Sequence, residues 1–275
     1  MSIRDILVHL KSHEDWSPHV DYAIGTAKAF SARLRGLATF HEVVVLRNLA
    51  VNAGKTLVDQ AARDAEAARM LEARFAKACA AAGVEGVFTT AEGAAGEIMP
   101  WAARLHDLTI IEQRQPGLDE LGFDAAEETA LSAGRPVLIV PSHGQFDPSP
   151  DHILLAWNGS HIAASALQGA LPFIERARKV TVCSGELRLP LRAGSRVPPL
   201  RVADGLRRHV AEVVEEKSDV GSAEVGKHLL ERAGALGCGM IVMGAYGRSW
   251  FSEYVLGGAT RHVLRHMTVP VLTGH

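Results

Sequence analysis

The chain has 275 residues, 47% of them apolar, enough for one large domain or two of ordinary size. A formal net charge of −2 supplies no basic field for nucleic acid. There is no run of about 18 apolar residues, and the opening MSIRDILVHL has neither a long apolar core nor a small-residue cleavage site, so a cytoplasmic protein is expected, with no membrane span and no signal peptide.

In chain order, DILVHL reads as a first strand. SPHVDYAIGTAKAFSARL follows as a helix, with Ser17 as N-cap and Pro18 in its first turn. RGLATF is a second strand, and VDQAARDAEAARMLEARFAKACAAAG a long Ala-rich helix stopped by Gly83. GVFTTAEG (strand), GEIMPWAARLH (helix), LTIIEQ (strand), DAAEETALSA (helix) and PVLIV (strand) complete the first half. The second half has the same order. Its strands are ILLAW, VTVCSG, AEVVEE, MIVMG and VPVLTG; its helices are IAASALQGALPFIERA, VADGLRRHVA, AEVGKHLLERAGALG and GATRHVLRHM.

The halves also resemble each other locally. RDILVHL matches DHILLAW, DLTIIEQ matches CGMIVMG, and RPVLIVP matches VPVLTGH, in the same order. PSHGQFDPSPDH, residues 141–152, is a Pro- and Gly-containing linker, so two copies of one domain are expected, over 1–145 and 151–275, with the boundary near Phe146. Nearly continuous apolar strands, alternating with amphipathic helices, predict an α/β fold of two doubly wound, five-stranded parallel-sheet domains in tandem. Ligands of such sheets bind beyond the carboxyl ends of the strands, at the switch in strand order.

Cys79, Cys183 and Cys238 fit neither a metal spacing nor a disulfide framework and are expected to be reduced, buried thiols. The 13 histidines form no H-E-x-x-H pattern, so no metal site is expected.

The stretch GAYGRSWFSEYVLGGATRH, residues 244–262, concentrates glycines between the fourth strand and last helix of the second half. Gly244 at the strand's end allows positive φ or close backbone approach, Gly247 closes a tight turn, and Gly257 and Gly258 open the helix. A helix start carries unsatisfied N–H groups and the positive end of the helix dipole, so a glycine loop facing it makes a phosphate cradle without lysine. On spacing alone, the same glycines could simply make turns. A P-loop is excluded because no Lys follows Gly258, and the Rossmann fingerprint because the glycines follow the fourth strand, not the first.

G-x-x-G, nine residues, then G and a small residue resembles the nucleotide signature of the universal stress protein family. The match runs through residues 242–272, and AWNGS and the element order extend it over both halves. The resemblance implies adenine-nucleotide binding (ATP, ADP or AMP, with Mg as an option beside ATP) in the C-terminal half. It implies that Met243, Gly244, Tyr246 and Gly247 line the ligand, and that Gly257, Gly258, Ala259 and Thr260 cradle phosphate. Trp157 and Asn158 would stand near adenine and ribose, and Ser184 would wall the adenine pocket. Gly258 replaces the usual Ser or Thr, and Asn158 the usual Asp, which adds a donor.

The first half lacks the signature. Gln113 and Pro116 lie near the positions of Gly244 and Gly247, and Pro116 has no N–H to offer. Glu120, Asp124, Glu127 and Glu128 set carboxylates where phosphate would sit, which makes this half a structural partner or the site of a different, non-anionic ligand. In the family the fifth strands pair across a dimer. The resemblance therefore implies an intrachain pseudo-dimer through Val137–Val140 and Val269–Leu272, with a homodimer of whole chains as a further option.

ELRLPLRAGSRVPPLRVADGLRR, residues 186–208, carries six arginines and is either a solvated loop or a lid in which Arg188, Arg192 or Arg196 reaches phosphate. No catalytic set assembles: WNGS is not a G-x-S-x-G elbow, and Lys227 and His228 fit an amphipathic helix. The expected function is nucleotide-responsive contact with a protein partner in the stress response. A nucleotide-independent scaffold and a slow ATPase are the alternatives.

Overall fold

The computed structural model describes residues 2–11, 16–40, 54–114, 125–185, 200–221, 223–245 and 258–274, with backbone alone over 54–61. The first half runs β1 (Asp5–Lys11), α1 (Pro18–Phe30), β2 (Arg33–Phe40), α2 (Gly54–Ala82), β3 (Gly86–Glu92), α3 (Ala95–Ala103), β4 (Leu108–Glu112), α4 (Ala125–Ser132) and β5 (Val137–Val140). The second runs β6 (His152–Trp157), α5 (His161–Ile174), β7 (Lys179–Ser184), α6 (Val202–Leu206), β8 (Glu212–Lys217), α7 (Val225–Leu236), β9 (Met240–Gly244), α8 (Gly258–His266) and β10 (Val271–Gly274).

All ten strands form one sheet in the order β3-β2-β1-β4-β5-β10-β9-β6-β7-β8. Each half contributes five parallel strands, doubly wound about its first strand. The halves join where β5 and β10 run antiparallel, with Val271 opposite Ile139 and Thr273 opposite Val137. Two apolar sheet edges that would otherwise face solvent thus cover each other. The sheet order reads the same inward from either edge, so the β5–β10 seam relates the halves by an approximate twofold.

Alternation along the central strands explains why they are so largely apolar. Ile6, Val8 and Leu10 pack under α1 and α2, while Leu7 packs under α3 and α4. Likewise Met240 and Val242 pack on the α5 side, and Ile241 and Met243 on the α7 and α8 side. Both faces being covered, the central strands β5 and β9 are apolar along nearly their whole length, whereas the edge strands β3 and β8 carry polar residues. The three cysteines are buried, unpaired thiols. No described helix is long and apolar enough to cross a membrane.

Several helix ends differ from the sequence expectation. α1 stops at Phe30, not Leu34, because Ser31 takes the left-handed conformation at φ 52°. The Ser31 N–H then reaches the Lys28 carbonyl at 3.2 Å and the Ala32 N–H the Ala27 carbonyl at 2.9 Å, which closes a Schellman cap and frees Arg33 to begin β2. Gly83 ends α2 in the same way at φ 71°, as expected of it. α6 spans only Val202–Leu206 rather than the ten residues anticipated.

Candidate functional site

In each half the chain begins at a central strand, winds to one side, then crosses to the other. The switch points therefore lie between β1 and β4 and between β6 and β9. At such points the connections leave in opposite directions and a crevice opens at the carboxyl ends.

In the C-terminal half this crevice lies between Trp157–Asn158 after β6 and Gly244 at the end of β9. The Asn158 Oδ1 accepts from the Ser160 N–H at 3.1 Å, an Asx turn that leaves the carboxamide NH2 to donate elsewhere. Gly159 adopts φ 74° within that turn. Ser160 Oγ then accepts from the Ala163 N–H at 3.1 Å and caps α5. Ser184, at the end of the neighbouring β7, is half-buried. Its carbonyl accepts from the Ser218 N–H at 2.8 Å, and the Trp157 carbonyl accepts from the Gly185 N–H at 3.1 Å. These bonds leave the strand ends little freedom.

Gly244 is a glycine for a different reason from one of the two expected. It does not have positive φ. Its hydrogen faces the first turn of α5, and a Cβ there would lie 2.9 Å from the Ala163 nitrogen and 2.9 Å from Ile162 Cγ2. The glycine lets the α5 start press onto the strand end. Met243 is buried beside Val263 and Leu264 of α8.

α8 begins at Gly258, which is exposed, with Ala259 half-buried and Thr260 buried. Its first turn contains no acidic residue. Gly226 lets α7 pack against this turn: a Cβ on Gly226 would sit 2.7 Å from the Ala259 carbonyl oxygen. Tyr246, Gly247 and Gly257 lie outside the described residues, as do Arg188, Arg192 and Arg196. Two other arginines of that insertion are held by carboxylates: Arg201 pairs with Glu215, and Arg207 lies 2.6 Å from Asp204.

At the corresponding point of the first half, the protein's own charged side chains bridge the strand ends. Strand register makes Lys11 the counterpart of Asn158 and Glu112 the counterpart of Gly244. The Lys11 ammonium lies 2.9 Å from Glu112 Oε2, and Ser17 Oγ donates to Glu112 Oε1. Ser17 is the N-cap residue, as the sequence suggests, yet its side chain makes no capping bond. Burial by itself would raise the Glu112 carboxyl, but the hydrogen bonds from Ser17 and Lys11 outweigh it and hold the group below the usual carboxylate range. Beside them His9 is buried 3.1 Å from Thr39 Oγ1, and its carbonyl accepts from His19 Nε2 at 2.6 Å. Burial, then the neighbouring His19 and Lys11, push the His9 imidazole down to about 3, so it is neutral at physiological pH.

This cluster is absent from the sequence expectation. Its signal was the interruption of apolar strand ends by His9, Lys11 and Glu112. The expected counterparts also move by one residue. Gln113 matches Ala245, not Gly244: the Gln113 N–H donates to the Val140 carbonyl at 2.7 Å, as the Ala245 N–H does to Gly274 at 3.2 Å. Glu127 and Glu128 lie in the first turn of α4, as anticipated, whereas Pro116, Glu120 and Asp124 lie outside the described residues.

Residues 150–273 match the family model described as "Universal stress protein family". Among solved structures, a universal stress protein from Archaeoglobus fulgidus DSM 4304 superposes with a TM-score of 0.66 at 18% identity, covering 98% of this chain and 97% of that one. A functionally unknown protein from Pseudomonas aeruginosa PAO1 superposes with a TM-score of 0.59 at 15% identity, covering 99% of this chain and 92% of that one. At these identities the likeness concerns the fold, and it extends over both halves. No curated protein matches the chain significantly. Residues 150–273 thus form a domain that matches the universal stress protein family, and the first half repeats its fold.

Proposed function

We propose that the C-terminal half binds one adenine nucleotide at the β6–β9 switch point and that the bound nucleotide controls contact with a protein partner. One observation carries this reading. The crevice between β6 and β9 has a glycine and a carboxamide where its twin has a carboxylate and an ammonium. The helix that starts beside it has no acid in its first turn, whereas α4 has Glu127 and Glu128. Exposed amides at Gly258 and a hydroxyl at Thr260 suit phosphate. Asn158, Trp157, Ser184 and Met243 are the residues in place for base and ribose, with Tyr246, Gly247 and Gly257 as further candidates. ATP, ADP and AMP are the proposed ligands. Mg beside ATP is a further proposed component.

Mass analysis of small molecules released from the denatured full chain tests this, backed by calorimetric titration with ATP. Adenine nucleotide in the released fraction, or saturable binding, is expected. Neither would appear if the chain is a nucleotide-independent scaffold. That second reading has its own support, because packing against α5 alone accounts for the glycine at 244.

A further inference from the structure

We infer that Gln113, which belongs to the non-binding half, is a positioning residue for the phosphate cradle of the other half; this rests on the proposed nucleotide reading. Gln113 follows β4 and is buried. Its Nε2 crosses the seam between the halves and donates to the Leu264 carbonyl at 2.8 Å. Leu264 lies in the last turn of α8, which ends at His266, so its carbonyl has no partner four residues on within the helix. Gln113 thus caps the C-terminal end of the helix whose N-terminal end is the proposed cradle.

α8 is nine residues long, a single short rod. Three attachments fix it. α7 presses on its first turn through Gly226, Val263 and Leu264 sit in the core, and Gln113 holds its far end. The Gln113 anchor is itself fixed. Its N–H is bonded to Val140, and the preceding residue, Glu112, is held by Lys11 and Ser17. Tilting the far end of α8 would displace the Gly258 amides, and a phosphate site is sensitive to shifts well under the length of a hydrogen bond.

The asymmetry of this contact gives it meaning. An approximate twofold would allow the same bond in the other direction, from the second half to α4. The residue that would make it is Ala245, which has no side-chain donor. The last turn of α4 is instead served from within its own half, where Arg104 Nη2 donates to the Ser132 carbonyl at 3.1 Å. Among the described residues, the bond is made only toward the helix with the glycine start. The half that has filled its own crevice with an ion pair braces the binding helix of its twin.

The test uses the full chain with Gln113→Met, which keeps the shape and removes the donor, and Gln113→Glu, which makes the donor conditional on protonation. Calorimetric titration with ATP should show Gln113→Met binding about tenfold more weakly at unchanged stoichiometry. Gln113→Glu should bind weakly at pH 8 and recover toward wild type at pH 5, because a protonated carboxyl donates to Leu264 while an ionised one opposes it. Wild-type affinity in both variants, or a Gln113→Glu profile parallel to wild type, would overturn the proposal. Should the wild-type chain bind no ATP, the nucleotide reading itself falls. Amide exchange over 260–266 then decides the bracing role: faster exchange in Gln113→Met upholds it and unchanged exchange refutes it.

Discussion

The β1–β4 and β6–β9 crevices share a fold, a register and a serine at the N-cap of the following helix, yet they are finished in opposite ways. In the first, Ser17 leaves its capping position to donate to Glu112, which also holds Lys11. In the second, Ser160 caps its helix, and the residue matching Glu112 is Gly244, with no side chain at all. One crevice neutralises itself with protein charges. The other presents backbone and a carboxamide. The two copies thus keep one fold while their strand ends carry different chemistry.

The largest effect should come from moving the Glu112 carboxylate to the matching position of the second half. Gly244→Glu puts a Cβ 2.9 Å from the Ala163 nitrogen and adds a carboxylate to the strand end, and ATP affinity should fall about 100-fold or more. Gly244→Ala supplies the steric part alone, at about 1–3 kcal/mol of stability. Titration and urea unfolding of both variants would separate charge from packing.

In the closed crevice, Lys11→Met leaves Glu112 buried without its cation and should cost about 3 kcal/mol in urea unfolding. Adding Glu112→Gln should restore much of that loss, since Ser17 can still bond a carboxamide.

Acid should act on this crevice in a definite direction. His9 remains neutral in the folded chain down to about 3, against 6.5 when unfolded. Below pH 6.5 the unfolded state therefore binds a proton that the folded state refuses, and stability falls as pH drops toward 3. Glu112, held below its ordinary 4.5, adds loss in the same direction at lower pH, as the folded state must finally accept its proton. The melting temperature should fall by a few degrees between pH 7 and pH 5, and His9→Gln should flatten part of that slope.

The smallest effect distinguishes the two serines. Ser160→Ala should cost about 1 kcal/mol as a lost helix cap, independent of pH. Ser17→Ala should instead show its cost above the Glu112 pKa, where the carboxylate loses a donor. A series of thermal melts from pH 7 downward would tell them apart: the Ser160→Ala cost stays constant, while the Ser17→Ala cost shrinks as Glu112 takes up its proton.

Much of this architecture was legible in the sequence because it rests on local rules. Apolar runs such as Ile110–Ile111 and Ile241–Val242 alternate with amphipathic segments, and that alone fixes a parallel α/β fold. Gly83 marks its helix end because positive φ suits glycine. Ser31 was missed because a serine in the left-handed region is set by the Schellman bonds around it, not by propensity. The C-terminal glycine stretch was legible as a motif, but the packing role of Gly244 was not, since it depends on where α5 lies. The Lys11–Glu112–Ser17 cluster was hidden for the same reason. Its members are as many as 101 residues apart and meet only when β1 and β4 become neighbours. Gln113 was noted for what it lacks as a glycine replacement, while its reach to Leu264 depends on the seam between halves.

The central claim is that one crevice binds and its twin is closed. Calorimetric titration of the full chain with ATP tests it most directly, alongside Gly244→Glu. One nucleotide per wild-type chain and none per Gly244→Glu chain is the predicted result. Two equivalent sites per chain, or one site that survives Gly244→Glu at full affinity, would contradict it.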